Sequence, residues 1–253
     1  MLNMSRRHFV RAAAIGIAGG TIARVQALDD GEFNDGEFSD GWIDAHSHIW
    51  TPDTDAYPLA NGKTVADFAP ASFTVDELLR TAQPHGVSRV VLIQHQHYYG
   101  WDNSYMTDAA TARPDVFRVV GMVNDAEPHP ERVMRELQGK HVTGFRITPR
   151  LRGADEWLSG PGINAMWKCA AETRQAMCCL LHPEYLESVD RMCQKFPETP
   201  VVIDHFGRVG IDGTIREVDL QHLCRLARHP HAYLKVSAYY ALGQKKPPYL
   251  DLV

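Results

Sequence analysis

The chain has 253 residues, 44% of them hydrophobic, which is enough for one large domain with a substantial core. A formal net charge of -5 leaves no basic surplus to draw in nucleic acid or anionic lipid as a whole-protein effect, so binding must come from a local site. Five cysteines, Cys169, Cys178, Cys179, Cys193 and Cys224, form no CxxC pair and read as buried small hydrophobes instead of a disulfide framework or a zinc-ligand set.

The first 27 residues join Arg6 and Arg7 to a short apolar run ending in Val25-Gln26-Ala27. They resemble a twin-arginine export signal, an address read by a receptor. The run from Ala12 to Ile22 is shorter than the ~20 residues that span a bilayer, so no permanent membrane span is expected. This predicts a partner in the twin-arginine export machinery and a periplasmic or otherwise extracytoplasmic location. Residues 28–41 carry a tandem DGEF repeat with almost nothing to bury and read as a disordered acidic spacer. The folded domain is expected from Trp42 onward.

Beyond that point short apolar runs alternate with helical patterns. The runs are WIDAHSHIW from Trp42, RVVLIQ from Arg89, FRVVGMV from Phe117, TGFRIT from Thr143, MCCLLH from Met177, PVVIDHFG from Pro200 and AYLKVSA from Ala232. Their β-branched, nearly continuous apolar character suits strands covered on both faces, as in a parallel sheet. Between them TVDELLRTA, PERVMRELQ, INAMWKCAAETR, EYLESVDRMCQKF and LQHLCRLAR read as helices, the first with a Thr74/Glu77 capping-box pattern. Steady alternation of strand and helix means an α/β fold. Seven strands are counted where a (β/α)8 barrel closes with eight, so the expected architecture is a TIM-barrel type that stops before strand eight, or an open doubly wound sheet.

The histidines favour the barrel. Strand alternation places Asp44, His46 and His48 on one face of the first strand, where buried neutral imidazoles are costly unless something satisfies them, and a divalent metal is an economical answer. Two later runs also end in histidine, at His182 and His205. Four histidines from strands one, five and six therefore converge on the carboxyl-terminal rim, where barrel enzymes assemble their sites. Arg146, Lys235, Ser237 and Tyr239 reach the same rim. Inward cations suggest an anionic or carboxylated small-molecule substrate, or else charge balance for buried carboxylates such as Asp44. A second pair, His95 and His97, follows strand two in a polar, aromatic loop; it is either a solvated loop or a substrate contact at the pocket mouth, with His97 the substrate-binding candidate. Asp204 is expected to point away from His205, toward the helices, in a structural hydrogen-bonding role.

The pieces IDAHSH, GFRI, LLH, IDHFG and LKVSA, in that order from Ile43 to Ala238, resemble the amidohydrolase superfamily, and within it the amidohydrolase-2 branch that includes sugar-lactone and pyrone-dicarboxylate lactonases. In zinc-dependent members the HxH pair and the strand-five histidine bind metal, which the resemblance carries to His46, His48 and His182. It makes His205 a catalytic residue acting on substrate or attacking water, with Arg146 orienting the substrate. Some lactonases of the branch work without metal and use these side chains as acid, base and oxyanion donors. The implied reaction is hydrolysis of a lactone of a sugar acid or related carboxylated substrate. Alternatives are non-oxidative decarboxylation on the same site, which relatives also perform, and a non-catalytic pseudoenzyme. The latter is raised because the family's strand-eight aspartate has no counterpart; Asp251 sits in a helix-start context instead.

Overall fold

The structure is a computed structural model that describes residues 41–149 and 153–252. The residues read as an export signal, and all of the expected spacer but Gly41, lie outside the described residues. All seven expected strands form: β1 (Trp42–Ser47), β2 (Val87–Ile93), β3 (Phe117–Gly121), β4 (Val142–Ile147), β5 (Ala176–Cys179), β6 (Val201–Ile203) and β7 (Ala232–Leu234). They make one parallel sheet in sequential order from β1 to β7. Sequential parallel pairing through helical crossovers is the barrel pattern; a doubly wound sheet would reverse its strand order part-way. The five helices expected from the sequence are present as α1 (Val75–Ala82), α4 (Pro130–Gln138), α6 (Pro161–Thr173), α7 (Leu186–Lys195) and α8 (Glu217–Arg225). Three further helices were not expected: α2 (Gln96–Tyr99), α3 (Ser104–Ala112) and α5 (Ala154–Trp157). No helix among the described residues is long and apolar enough to cross a membrane.

The sheet has two apolar faces with different partners. Outward-facing Val90, Leu92, Phe117, Val119, Phe145, Met177 and Ile203 pack with Met134, Ile163, Met166, Trp167 and Val189 of the helices in the main core. Inward-facing Ile93, Val120 and Cys178, with Val91, Ala176 and Val202 against them, form a second cluster that fills the floor of the curl. Cys169, Cys178, Cys179 and Cys193 are buried free thiols, as expected of small hydrophobes, while Cys224 is free and exposed. The curl brings the ends of the sheet together, for Lys235 after β7 reaches His46 on β1 although the two strands share no ladder. Trp42 and Ile43 on β1 and Tyr233 and Leu234 on β7 are exposed, which marks these strands as the free edges.

The capping box of α1 forms as its sequence predicts: Thr74 N–H donates to Glu77 Oε2 at 2.6 Å and Glu77 N–H to Thr74 Oγ1 at 3.4 Å. Two otherwise unpaired amide donors are thereby satisfied. Thr74→Ala is expected to lower the unfolding free energy by about 1 kcal/mol in denaturant titration without changing the slope; an unchanged midpoint would count against the box as a stabilising element.

Candidate functional site

The polar cluster is built from β1, β4 and the segments just after β6 and β7, and local departures from regular strand geometry decide which residues enter it. In β1, Asp44 is level with Val90 of β2 and Ser47 with Leu92, so three steps on one strand match two on the other. This bulge reverses the alternation. Asp44 therefore does not share the face of His46 and His48, contrary to expectation; its carboxylate accepts the His46 amide at 2.9 Å and the Ser47 hydroxyl at 2.6 Å and so fastens the bulge. His48 is fixed by donating from Nδ1 to the Ile93 carbonyl at 2.7 Å, which leaves Nε2 with a free lone pair.

His46 sits between two cations. Arg146 Nη2 lies 3.3 Å from its Nε2, and Lys235 Nζ lies 3.3 Å from its Nδ1. A neutral imidazole has one lone pair, so it accepts from only one of them at a time. Burial, then Arg146 and Lys235, push its pKa down to about 2, and burial with Arg146 pushes that of His48 down to about 4. Both rings are neutral acceptors at pH 7.

The counter-charge is Asp204, which has no exposed surface. Arg146 donates to its Oδ2 from Nε at 3.2 Å and from Nη2 at 2.9 Å, and Lys235 Nζ lies 3.2 Å from Oδ1 as an ion pair out of hydrogen-bond alignment. The expectation that Asp204 faces the helices is overturned. Along β6, Val202 packs in the inner cluster and Ile203 in the outer core, so the next residue to point inward is Asp204. His205 would then point out, but His205, Phe206, Gly207 and Arg208 all adopt left-handed φ values between 52° and 59°. The turn brings the His205 ring to 4.8 Å from that of His46. Three non-glycine residues in that region cost roughly 1–2 kcal/mol each, a strain of the kind that collects at functional sites.

His205 Nδ1 pairs with Ser237 Oγ at 2.8 Å. Burial lowers its pKa while neighbouring Asp204 opposes the shift, so this ring is less strongly disfavoured as a proton acceptor than His46. Tyr239 stands farther along, against Phe206 and Tyr249 at ring distances of 5.4 and 6.1 Å. His182 begins the turn after β5, and its Nε2 faces Arg208 Nη1 at 3.3 Å in a cavity of about 250 Å³ shared with Thr148 and Tyr185. Of the second histidine pair, His95 is the inner member: it stacks on Tyr98 at 4.2 Å, meets the edge of His48 at 4.9 Å, and is pushed down to about 4, mainly by burial. His97 is exposed, on the short helix α2 where a loop was expected.

The family model for amidohydrolases matches residues 43–252. The chain belongs to that family. Among curated proteins, a 4-sulfomuconolactone hydrolase from Rhizobium radiobacter is 27% identical over 220 residues, covering 84% of this chain and 69% of the relative. A crystal structure described as a probable 2-pyrone-4,6-dicarboxylic acid hydrolase from Acinetobacter baumannii, with citric acid bound, superposes with a TM-score of 0.70 at 22% identity, covering 84% of this chain and 75% of that one. An amidohydrolase from Burkholderia multivorans with zinc bound gives a TM-score of 0.64 at 18% identity, over 80% and 71%. These structures share the barrel fold of this amidohydrolase.

The metal ion common in the family finds a poor donor set in this arrangement. A cation between His46 and His48 would share the His46 nitrogens with Arg146 and Lys235, and His182 is turned to Arg208. Among the described residues no group of three or more His, Cys, Asp or Glu side chains is placed to hold a metal. The residues present therefore do not fit the ion. Three side chains of the site were missed in the sequence. Asp204 was assigned the wrong face, His95 was read in the βα loop where it stands but passed over in favour of His97, and Arg208 carried no signal beyond standing three residues after His205.

The depressed histidines give a pH test. His46, His48 and His95 fall below the ordinary 6.5 in the folded chain, so the unfolded chain binds more protons below that pH. Stability is then full above pH 6.5 and is lost as pH falls toward the folded values. The thermal midpoint is expected to drop between pH 7 and pH 5, with up to about three protons taken up per chain on unfolding at pH 5; no proton uptake in calorimetry across buffers of different ionisation enthalpy would contradict the geometry.

Proposed function

We propose that this amidohydrolase opens a lactone that carries an anionic group, using protein cations in place of a metal. The observation that carries this reading is the pairing of Arg146 and Lys235 around a neutral His46, with His205 alongside. Attack of water on a lactone carbonyl develops negative charge on the carbonyl oxygen, and fixed N–H donors in a partly dry site stabilise that charge. Arg146 and Lys235 supply such donors. His205, neutral and steadied at Nδ1 by Ser237, offers Nε2 to take the proton of the attacking water. The new C–O bond gives a tetrahedral intermediate; its collapse breaks the ring C–O bond, and the departing ring oxygen receives the proton from His205. The product is a hydroxy acid, or its keto form, whose carboxyl group ionises and releases one proton to solvent.

An anionic group on the substrate suits the cationic rim, because Arg146, Lys235 and Arg208 outnumber the buried carboxylate Asp204. The relatives named above point the same way: one is named for a sulfonated lactone and one for a pyrone dicarboxylate. A sugar-acid lactone remains a member of the class. His97 is exposed with its ring 6.1 Å from that of His95, which supports at most a contact with the outer part of a substrate.

The test is acid release from 2-pyrone-4,6-dicarboxylate, 4-sulfomuconolactone, a sugar-acid lactone and an uncharged lactone. Turnover of an anionic lactone is expected, with a loss of roughly 10²–10⁴ in kcat for His205→Ala and roughly 10²–10³ for Arg146→Ala. Activity should survive dialysis against a chelator. Loss on chelation with recovery on adding zinc would return His46, His48 and His182 to a metal-binding role, and carbon dioxide in place of titratable acid would make the chain a decarboxylase.

A further inference from the structure

We propose that Asp204 is a positioning residue of the reaction, which acts by holding Arg146 and Lys235 in register with His46; the inference rests on the lactone-hydrolase reading. Three observations carry it. Asp204 is fully buried, so it meets substrate only through its partners. Its two oxygens divide the work: Oδ2 takes two N–H groups of Arg146, and Oδ1 faces the Lys235 ammonium. The same two cations then face opposite nitrogens of one imidazole, each at 3.3 Å. The carboxylate on β6 thus sets the separation of two cations from β4 and the end of β7, on either side of a ring from β1.

An arginine and a lysine this close repel each other, and without a carboxylate between them their long side chains have no reason to stay on one ring. Two N–H groups converging on one carboxylate oxygen restrict the plane of the guanidinium, leaving Nη2 shared between Asp204 and His46. Lys235 is also the side chain that spans the two free edges of the sheet, so its anchoring to Asp204 holds the donors together where no backbone ladder does.

The decisive experiment is a double-mutant cycle on the full chain, followed with 2-pyrone-4,6-dicarboxylate and corrected for folded fraction by circular dichroism. Asp204→Asn is expected to lower kcat by about a hundredfold with KM unchanged or lower, since removing a negative charge does not weaken an anionic substrate. In an Arg146→Ala/Lys235→Ala background, taken as one member of the cycle, the same substitution should cost less than about threefold, because both groups through which it acts are gone. An equal loss in both backgrounds, or kcat per folded molecule within about threefold of wild type, overturns the proposal. Should Asp204→Asn fail to fold, Asp204→Ala in formate replaces the missing carboxylate: a rise in kcat per folded molecule of tenfold or more supports the role, and recovery of folding alone overturns it. A wild-type chain that turns over no lactone defeats the functional reading, whereas wild-type turnover with an indifferent Asp204→Asn defeats only this inference.

Discussion

The site depends on one buried carboxylate between two cations. Burying an arginine and a lysine at the mouth of a curled sheet is strongly unfavourable unless an anion accompanies them, and removing one member of such a group leaves charge stranded in a medium of low polarity. Asp204 provides the anion at zero exposure, while Arg146 remains almost wholly buried. The cluster also fixes where the strand ends stand relative to one another, because its members come from β4, β6, the end of β7 and, through His46, β1. A sheet with two free edges gains from its side chains some of the closure that backbone pairing does not supply.

From that cluster the state of the histidines follows. Burial does most to keep both rings neutral, helped at His46 by Arg146 and Lys235 and at His48 by Arg146, so both stay unprotonated at pH 7. His205 lies next to Asp204 in sequence, and the carboxylate works against its desolvation. The rings therefore differ in basicity by their distance and exposure to one carboxylate and two cations. His46 and His48, pushed down to about 2 and about 4, are held neutral, and under the proposed reading His205 is the base.

Much of this architecture was legible in the sequence. The seven runs rich in valine, isoleucine and leucine are the seven strands, and the Thr74/Glu77 capping box begins α1 as its spacing requires. The helix α3 escaped because SYMTDAATA mixes small and polar residues without a clear apolar face, and it is held by burying only Met106, Thr107 and Ala110. The convergence of His46, His48 and His205 was readable, since each belongs to a strand or the turn directly after it. Asp44 and Asp204 were placed on the wrong faces for a common reason. Alternation holds only while a strand remains regular, and a bulge is a relation between two strands that neither reveals alone. The left-handed run after β6 is equally silent, because only Gly207 of its four residues is a type that favours such angles.

Under the proposed reading, protein cations do in this chain what a metal ion does in other amidohydrolases. His46 and His48 stand edge to face with ring centres 5.2 Å apart, and Arg146 and Lys235 approach the two nitrogens of His46 from other strands. Here only one of Arg146 and Lys235 can donate to the single lone pair of neutral His46, and both are paired with Asp204. A guanidinium carries the charge that would polarise a carbonyl oxygen, but it does so through directed N–H groups that must be held in plane. That need is met from behind by Asp204, whereas a metal would take its geometry from its own ligands. Under that reading the burden of orientation falls on a carboxylate with no exposed surface in place of a coordination sphere.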